Sequence, residues 1–176
     1  TGGGGIYFET LSGGTFNNNS SGTIINNMTV YSGGNGYNEI YLRNTVFTNN
    51  GTIIANGVSL NIFPTTNPVI NGTITIPAGG QVKFGIASTT TTISSNAVIN
   101  GAGTVHFFEG NHQVNSNSYN PGSTVIGISY SPAFVYFNQS HIDLNYVNLV
   151  SGLFGGPATK LLKDDMSVGN STEISG

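Results

Sequence analysis

The chain has no cysteine, so neither a disulfide framework nor a thiolate metal site is open to it. Charge is almost as scarce. Charged side chains make up 6 % of the 176 residues, against roughly 25 % in ordinary globular proteins. Only four are Lys or Arg, Arg43 is the single arginine, and the formal net charge is −3. Phosphate contacts need several cations gathered on one face, so a nucleic-acid partner is not expected. No stretch approaches the roughly 18 consecutive apolar residues of a membrane-spanning helix, and no membrane insertion is expected. The chain opens TGGGGIYFETL, in sequence like its later repeats rather than in the pattern of a signal peptide. The expectation is a mature or excised segment of something longer.

What remains is a chain of Gly, Asn, Ser, Thr and β-branched residues. It holds 26 glycines, and its hydrophobic share of 37 % is too high for simple disorder. The length suits one domain with a real core. Low charge, no cysteine and abundant Asn, Gly and Thr point to a secreted or surface-exposed protein. The sequons at Asn27, Asn50 and Asn71 are what chance produces in such a composition.

Internal repetition is the strongest signal. Gly-Thr followed by β-branched residues occurs as SGTIIN, NGTIIA, NGTITI and AGTVHF, with GSTVIG as a variant. Their threonines, Thr23, Thr52, Thr73, Thr104 and Thr124, are separated by 29, 21, 31 and 20 residues. Those separations are near multiples of ten, which suggests a ten-residue unit doubled into a coil of about 20 residues. Within units the hydrophobic pattern has period two, as a strand with one buried face requires. Ile74 and Ile76 alternate with Thr73 and Thr75; Val82 and Phe84 alternate with Gln81 and Lys83. Val58, Leu60 and Ile62 form one inward set, and Ile142, Leu144 and Tyr146 another, with a break of register near Val147. The joints, NG, GG, PAGG, NPG and SGG, place Gly or Asn where positive φ is needed.

The pattern predicts an all-β, right-handed parallel β-helix over residues 1–156, with an antiparallel β-sandwich or barrel as the alternative. In a solenoid, asparagines at the turns stack amide on amide in ladders. Residues 157–176, with Lys160, Lys163, Asp164 and Asp165, are read as a charged C-terminal segment, a modified last coil or a loop.

The run TTTTISSNAVINGAGTVHFFEGNHQVNSNSYNPGSTVIG, followed by FVYFNQSHIDLNYVNLVSGLFGG, resembles the Gly/Asn/Thr-rich β-solenoid repeats of large bacterial surface and secreted proteins. The resemblance covers most of residues 48–156. It implies a right-handed parallel β-helix in an adhesin-like or filamentous extracellular protein, and that family has no general catalytic motif to carry over. The chain departs from the family pattern in its aromatics, Phe134, Tyr136 and Phe137 among them, and in the charged tail.

Reactive constellations are thin. His106, Glu109 and His112 fall within seven positions, but parity turns His106 outward and gives His112 the opposite facing or a corner. A metal needs three or more converging ligands, so no metal and no cofactor is expected. Glycoside hydrolysis needs two carboxylates at a set separation, and most of the seven acids are isolated. His141 and Asp143 share a face and form the best remaining pair, with no nucleophile evident. Regular calcium-binding aspartates are missing. The run Thr89–Thr92 suggests an ice-binding array, but outward threonines are not expected to repeat coil after coil.

The expected function is that of a non-enzymatic extracellular structural protein, a segment or subunit of a surface adhesin, fibre or filament. Its expected partner is itself or the continuation of a longer chain, stacked end to end. The alternative is a carbohydrate- or surface-binding module on the same fold, with a polysaccharide-active enzyme or an ice-binding protein behind it. For that alternative, the outward aromatics Phe134 and Tyr136, near Tyr130 and Tyr119, are the candidate contacts with glycans, because amphipathic rings make low-entropy contacts.

Overall fold

The structure, a computed structural model, describes residues 6–9, 14–26, 39–43, 46–57, 59–157, 159–163 and 165–175; the predicted inward residue Val58 and the sequon at Asn27 lie outside these. Every regular element among the described residues is a strand. Short β-branched runs closed by Asn-Gly or Gly-Gly joints cannot propagate a helix, and each run covers one side of a coil.

The first circuit is β1 (Ile6–Glu9), β2 (Thr15–Asn18) and β3 (Thr23–Asn26). The next, β4 (Glu39–Arg43), β5 (Val46–Asn49) and β6 (Thr52–Ala55), stacks on it in order, pairing Ile6 with Ile40, Phe16 with Phe47 and Ile24 with Ile53. β7 (Ser59–Phe63), β8 (Val69–Ile70) and β9 (Thr73–Thr75) repeat the pattern. After β10 (Gln81–Phe84) and β11 (Thr90–Ile93), β12 (Val98–Phe107) runs around a corner. Its first residues pair with β9 on one face and its last with β10 on the next. β13 (Gly110–Val114), β14 (Ser118–Ile126), β15 (Ala133–Phe137), β16 (His141–Leu144), β17 (Tyr146–Gly155), β18 (Thr159–Leu162) and β19 (Met166–Ile174) continue upward. All these strand pairings are parallel, in one 17-stranded winding sheet and a separate pair formed by β16 and β18. The molecule is a parallel β-solenoid of about six turns, about 21 residues each. The antiparallel sandwich is thereby set aside.

The predicted ten-residue half-coil is corrected to a three-sided coil. Thr23, Thr52 and Thr73 stack on one face. Thr104 lies on a different face, paired with Gln81 and Ser123. The interval of 31 between Thr73 and Thr104 is therefore a full turn plus one side. The charged tail forms rungs: β18 pairs with β16 and β19 with β17.

Alternation puts the core inside the coil. Phe47, Ile53, Leu60, Ile62, Ile74, Ile76, Val82, Phe84, Val105 and Phe107 are fully buried. An aromatic column threads the axis: Phe84 stacks on Phe107 at 6.0 Å, and Tyr119, Phe137 and Phe154 follow at edge or stacked spacings. One register expectation fails. Ile142 and Leu144 are buried, but Tyr146 is 36 % exposed while Val147 and Leu149 take the core positions. The corner falls at Asn145, whose amide Nδ2 donates to the Pro121 carbonyl at 2.6 Å, and that turn reverses the parity one residue early.

Asparagine ladders occupy the corners. Asn18 Nδ2 donates to Asn49 Oδ1 at 2.8 Å inside one corner. Along the adjacent outer column Asn71 donates to Asn50 at 2.9 Å, Ser94 to Asn71, and Asn138 to Asn115 at 2.9 Å. Asn71 both donates to the rung below and accepts from the rung above, so the corner is hydrogen-bonded along the axis without charge. Close backbone approach demands glycine. A Cβ on Gly152, at φ +116°, would lie 1.9 Å from the Ala133 carbonyl of the rung below. Gly79, at φ +81°, has open space where its Cβ would stand. Gly79→Ala is therefore expected to cost only its left-handed backbone, about 1 kcal/mol. Gly152→Ala adds a steric clash and is expected to cost about 3 kcal/mol or more. Urea denaturation of the two variants checks the difference; equal costs contradict the rung spacing.

Candidate functional site

The His106–Glu109–His112 cluster is split by the wall of the coil. His106 faces outward, and its Nε2 donates to the Gly127 carbonyl at 3.0 Å. Burial lowers its pKa, a hydrogen bond to Gly127 opposes that shift, and Lys83 adds to it. His112 faces inward and is fully buried, 4.7 Å from the Phe107 ring centroid. Its Nε2 donates to the Glu109 carbonyl at 3.0 Å, so Nδ1 is bare, and that nitrogen has no partner. Among the described residues no three His, Asp or Glu side chains gather as a metal site would require.

His141 and Asp143 do meet. Their contact is 2.7 Å, and Lys163 reaches the other carboxylate oxygen at 3.3 Å. The hydrogen bond from His141, then that from Lys163, holds the Asp143 carboxyl below its usual range. All three are well exposed, so the cluster is a solvated ion pair that links β16 to the segment after β18.

The four candidate aromatics separate. Tyr119 is a core residue, 3 % exposed, with its hydroxyl hydrogen-bonded to Thr124 Oγ1 at 2.9 Å and its pKa raised by burial. A buried ring of this kind does not present itself to a ligand. Tyr130 sits at the tip of the loop closed by the Ile128–Ser131 bridge and is 84 % exposed. Phe134 and Tyr136 do point outward from β15, Phe134 being 38 % exposed. Phe134 stacks in register with Leu153, and Leu153 with Glu173. With Pro132 and Thr172 they line an open groove of about 490 Å3. Tyr136 stands in the next column, beside Gly155.

Two arrangements escape the period-two reading because they depend on coil length. Outward Thr23, Thr52 and Thr73 do repeat on successive coils, contrary to expectation, with Ile25, Ile54 and Thr75 beside them. The column ends at the next rungs, where Val98 and then Ser118 take the threonine position. The second arrangement lies on the face of β4, β7, β10 and the end of β12. There Tyr41, Asn61, Lys83 and His106 form one outward column. Phe63 and Phe108 flank it and meet at 5.3 Å, across the rung where Gly85 carries no side chain. Arg43 lies 4.4 Å over the Tyr41 ring and the Lys83 ammonium 5.9 Å from Phe108. The sequence separations in that column are 20, 22 and 23 residues. No fixed period brings those residues together; parity marks Tyr41, Lys83 and His106 as outward, and only the register shows them adjacent.

Comparison with known proteins returns no match: no protein-family model, no curated protein and no solved structure is significantly similar to the chain.

The buried imidazole makes stability depend on pH. Burial pushes the pKa of His112 from 6.5 down to about 3, against the opposing hydrogen bond to Glu109. Above pH 6.5 both folded and unfolded chains keep it neutral; between 6.5 and about 3 only the unfolded chain takes the proton. Stability therefore falls as pH falls through that window, by about 2 kcal/mol between pH 7 and pH 5 from this residue alone. Denaturation midpoints at the two pH values, for the native chain and His112→Phe, check this: the variant is expected to show a flatter profile, and an unchanged profile contradicts the burial.

Proposed function

We propose that this chain is a non-enzymatic structural segment or subunit of an extracellular adhesin, fibre or filament, whose work is done by stacking coil on coil. The observation that carries the reading is the state of β19. Met166, Val168 and Ile174 lie in register with the buried Val147, Leu149 and Phe154. Val168 is 52 % exposed and Ile174 56 %. A further rung laid on β19 seals these side chains as each rung below is sealed, and it takes up the strand's backbone hydrogen-bonding groups. The partner implied is the continuation of a longer chain or a second copy of this one. The scarcity of charge and the uncharged corner ladders support the same reading, because neither repels an identical neighbour. The sequence resemblance to bacterial surface repeats agrees with it.

The isolated chain is expected to associate end to end. Sedimentation velocity and negative-stain microscopy at rising concentration read out short rods, and Val168→Lys with Ile174→Lys abolishes them. Monodisperse particles at every concentration, with the charged double variant indistinguishable from the native chain, contradict the proposal.

The groove at Phe134 favours a second reading, a glycan-binding surface on the same scaffold. A ring seated on Phe134 has the apolar Pro132 and Leu153 beneath it and the polar Thr172 and Glu173 at its edge. Phe134→Ala is expected to remove binding of neutral oligosaccharides in a glycan screen while leaving the melting temperature within a few degrees; a screen with no binding to the native chain contradicts this reading.

A further inference from the structure

We infer that the face formed by β5, β8, β11, β13 and β15 is a binding track for a linear, neutral, β-linked polysaccharide laid along the solenoid axis. The inference rests on the glycan reading of the Phe134 groove, which adjoins the upper end of the track, and it names the ligand class and its direction.

Three observations on one surface carry it. The first is a column that keeps its register from rung to rung. Thr48, Val69, Thr92, Gln113 and Tyr136 stand one above another on the outer side of the sheet, and all are half-buried. They span roughly 20 Å of axis at the strand spacing. On β5 and β15 the column is less exposed than its flanks. Val46 and Asn50 are exposed on either side of Thr48, and Phe134 and Asn138 on either side of Tyr136. That profile is a shallow trough running across the strands. An extended β-linked pyranose chain advances by roughly one strand spacing per sugar, so successive rings meet successive rungs.

The second is a set of oriented amides along one side of the trough. Asn50, Asn71, Ser94, Asn115 and Asn138 each donate their backbone N–H to the rung below, which places them in one corner column. Asn71 donates its amide to Asn50, and Ser94 its hydroxyl to Asn71. At the upper end Asn138 Nδ2 donates to Gln113 Oε1 at 2.7 Å and to Asn115 Oδ1 at 2.9 Å. Those two bonds hold three amides in place. They leave Asn138 Oδ1, Gln113 Nε2 and Asn115 Nδ2 with no partner among the described residues. A sugar hydroxyl donates and accepts at once, so it pairs with a free acceptor and free donors that are already oriented.

The third is the charge and the aromatic ring at the end. None of the five strands contains Asp, Glu, Lys or Arg. A polyanion therefore finds no counter-charge there, and a neutral chain loses no ionic hydration. A peptide strand docks through free backbone groups, and the backbone of this face is bonded along the axis into neighbouring rungs. Tyr136 closes the upper end, with Phe134 beside it on the same strand. An aromatic ring takes the C–H face of a pyranose and leaves the hydroxyl rim to the amides.

The test titrates the whole chain with cellobiose and with cellohexaose by isothermal titration calorimetry. The hexasaccharide is expected to bind about tenfold more tightly than the disaccharide, and raising the salt is expected to leave both affinities unchanged. Asn138→Ala releases the three amides and is expected to weaken cellohexaose binding about tenfold, with the melting temperature unchanged. If that variant lowers the melting temperature, Gln113→Met takes its place, with the same expected loss. Phe134→Ala reports on the groove by itself. Equal affinity for the two sugars, with both lost in Phe134→Ala, leaves the groove reading standing and overturns the track. No binding of either sugar overturns both. Full cellohexaose affinity in the amide variant, or tighter binding of polygalacturonate than of cellohexaose, also overturns the track.

Discussion

Parallel, in-register stacking of one coil on the next is the constraint from which the rest of this molecule follows. A single coil of about 21 residues cannot bury its own inward side chains. Laid on a neighbour, it places Ile53 over Ile24 and under Ile74, and Leu60 between Ile40 and Val82. Backbone hydrogen bonds then run along the axis and every described face shares them. The same constraint decides composition. Corners that must repeat at the strand spacing admit glycine, or a small polar side chain whose amide bonds the copy above it, and they exclude bulk and like charge.

Two internal polar groups show where that economy is broken. His112 lies inside the aromatic column with one ring nitrogen unpartnered, and Asn61 is sealed on the outer side of the sheet with a bare donor. Each costs free energy relative to an apolar or paired residue, on the order of 1–3 kcal/mol. The His112 bond to the Glu109 carbonyl fixes the bend that leads into β13 and accounts for the first. Asn61 accepts a hydrogen bond from Ser59 Oγ on its Oδ1 at 3.1 Å, which leaves only its amide nitrogen without a partner.

Much of the fold was legible from period-two patterning, because one buried face of a strand leaves an unambiguous mark. Leu60, Ile62, Ile74, Ile76, Val82, Phe84, Val105 and Phe107 are all in the core as alternation requires. The shape of the coil was not legible. Three sides of unequal length give a ten-residue beat by coincidence, and a corner such as Asn145 shifts parity without any local signal, which is why Tyr146 and Val147 exchange places. The candidate surfaces suffered most from this. Whether two outward residues are neighbours depends on the number of residues in the intervening coil, which varies from 18 to 34 between register partners. Thus Tyr119 lies in the core, the threonine columns go unrecognised, and the Tyr41–Phe108 stripe is invisible until the rungs are aligned.

A stiff, uncharged-cornered rod with differently decorated faces suits a protein that works by presenting surfaces along its length. That account stands on the stacking, and the absence of cysteine allows a direct test by site-specific spin labelling. Thr23, Thr73, Val98 and Ser118 occupy one column of one face, at two, three and four rungs from the first. Distances from a label at position 23 to labels at 73, 98 and 118 are expected to rise in equal steps of about 4.8 Å. Distances that fail to grow along this series, or that shrink for the later pairs, contradict the solenoid and everything argued from it.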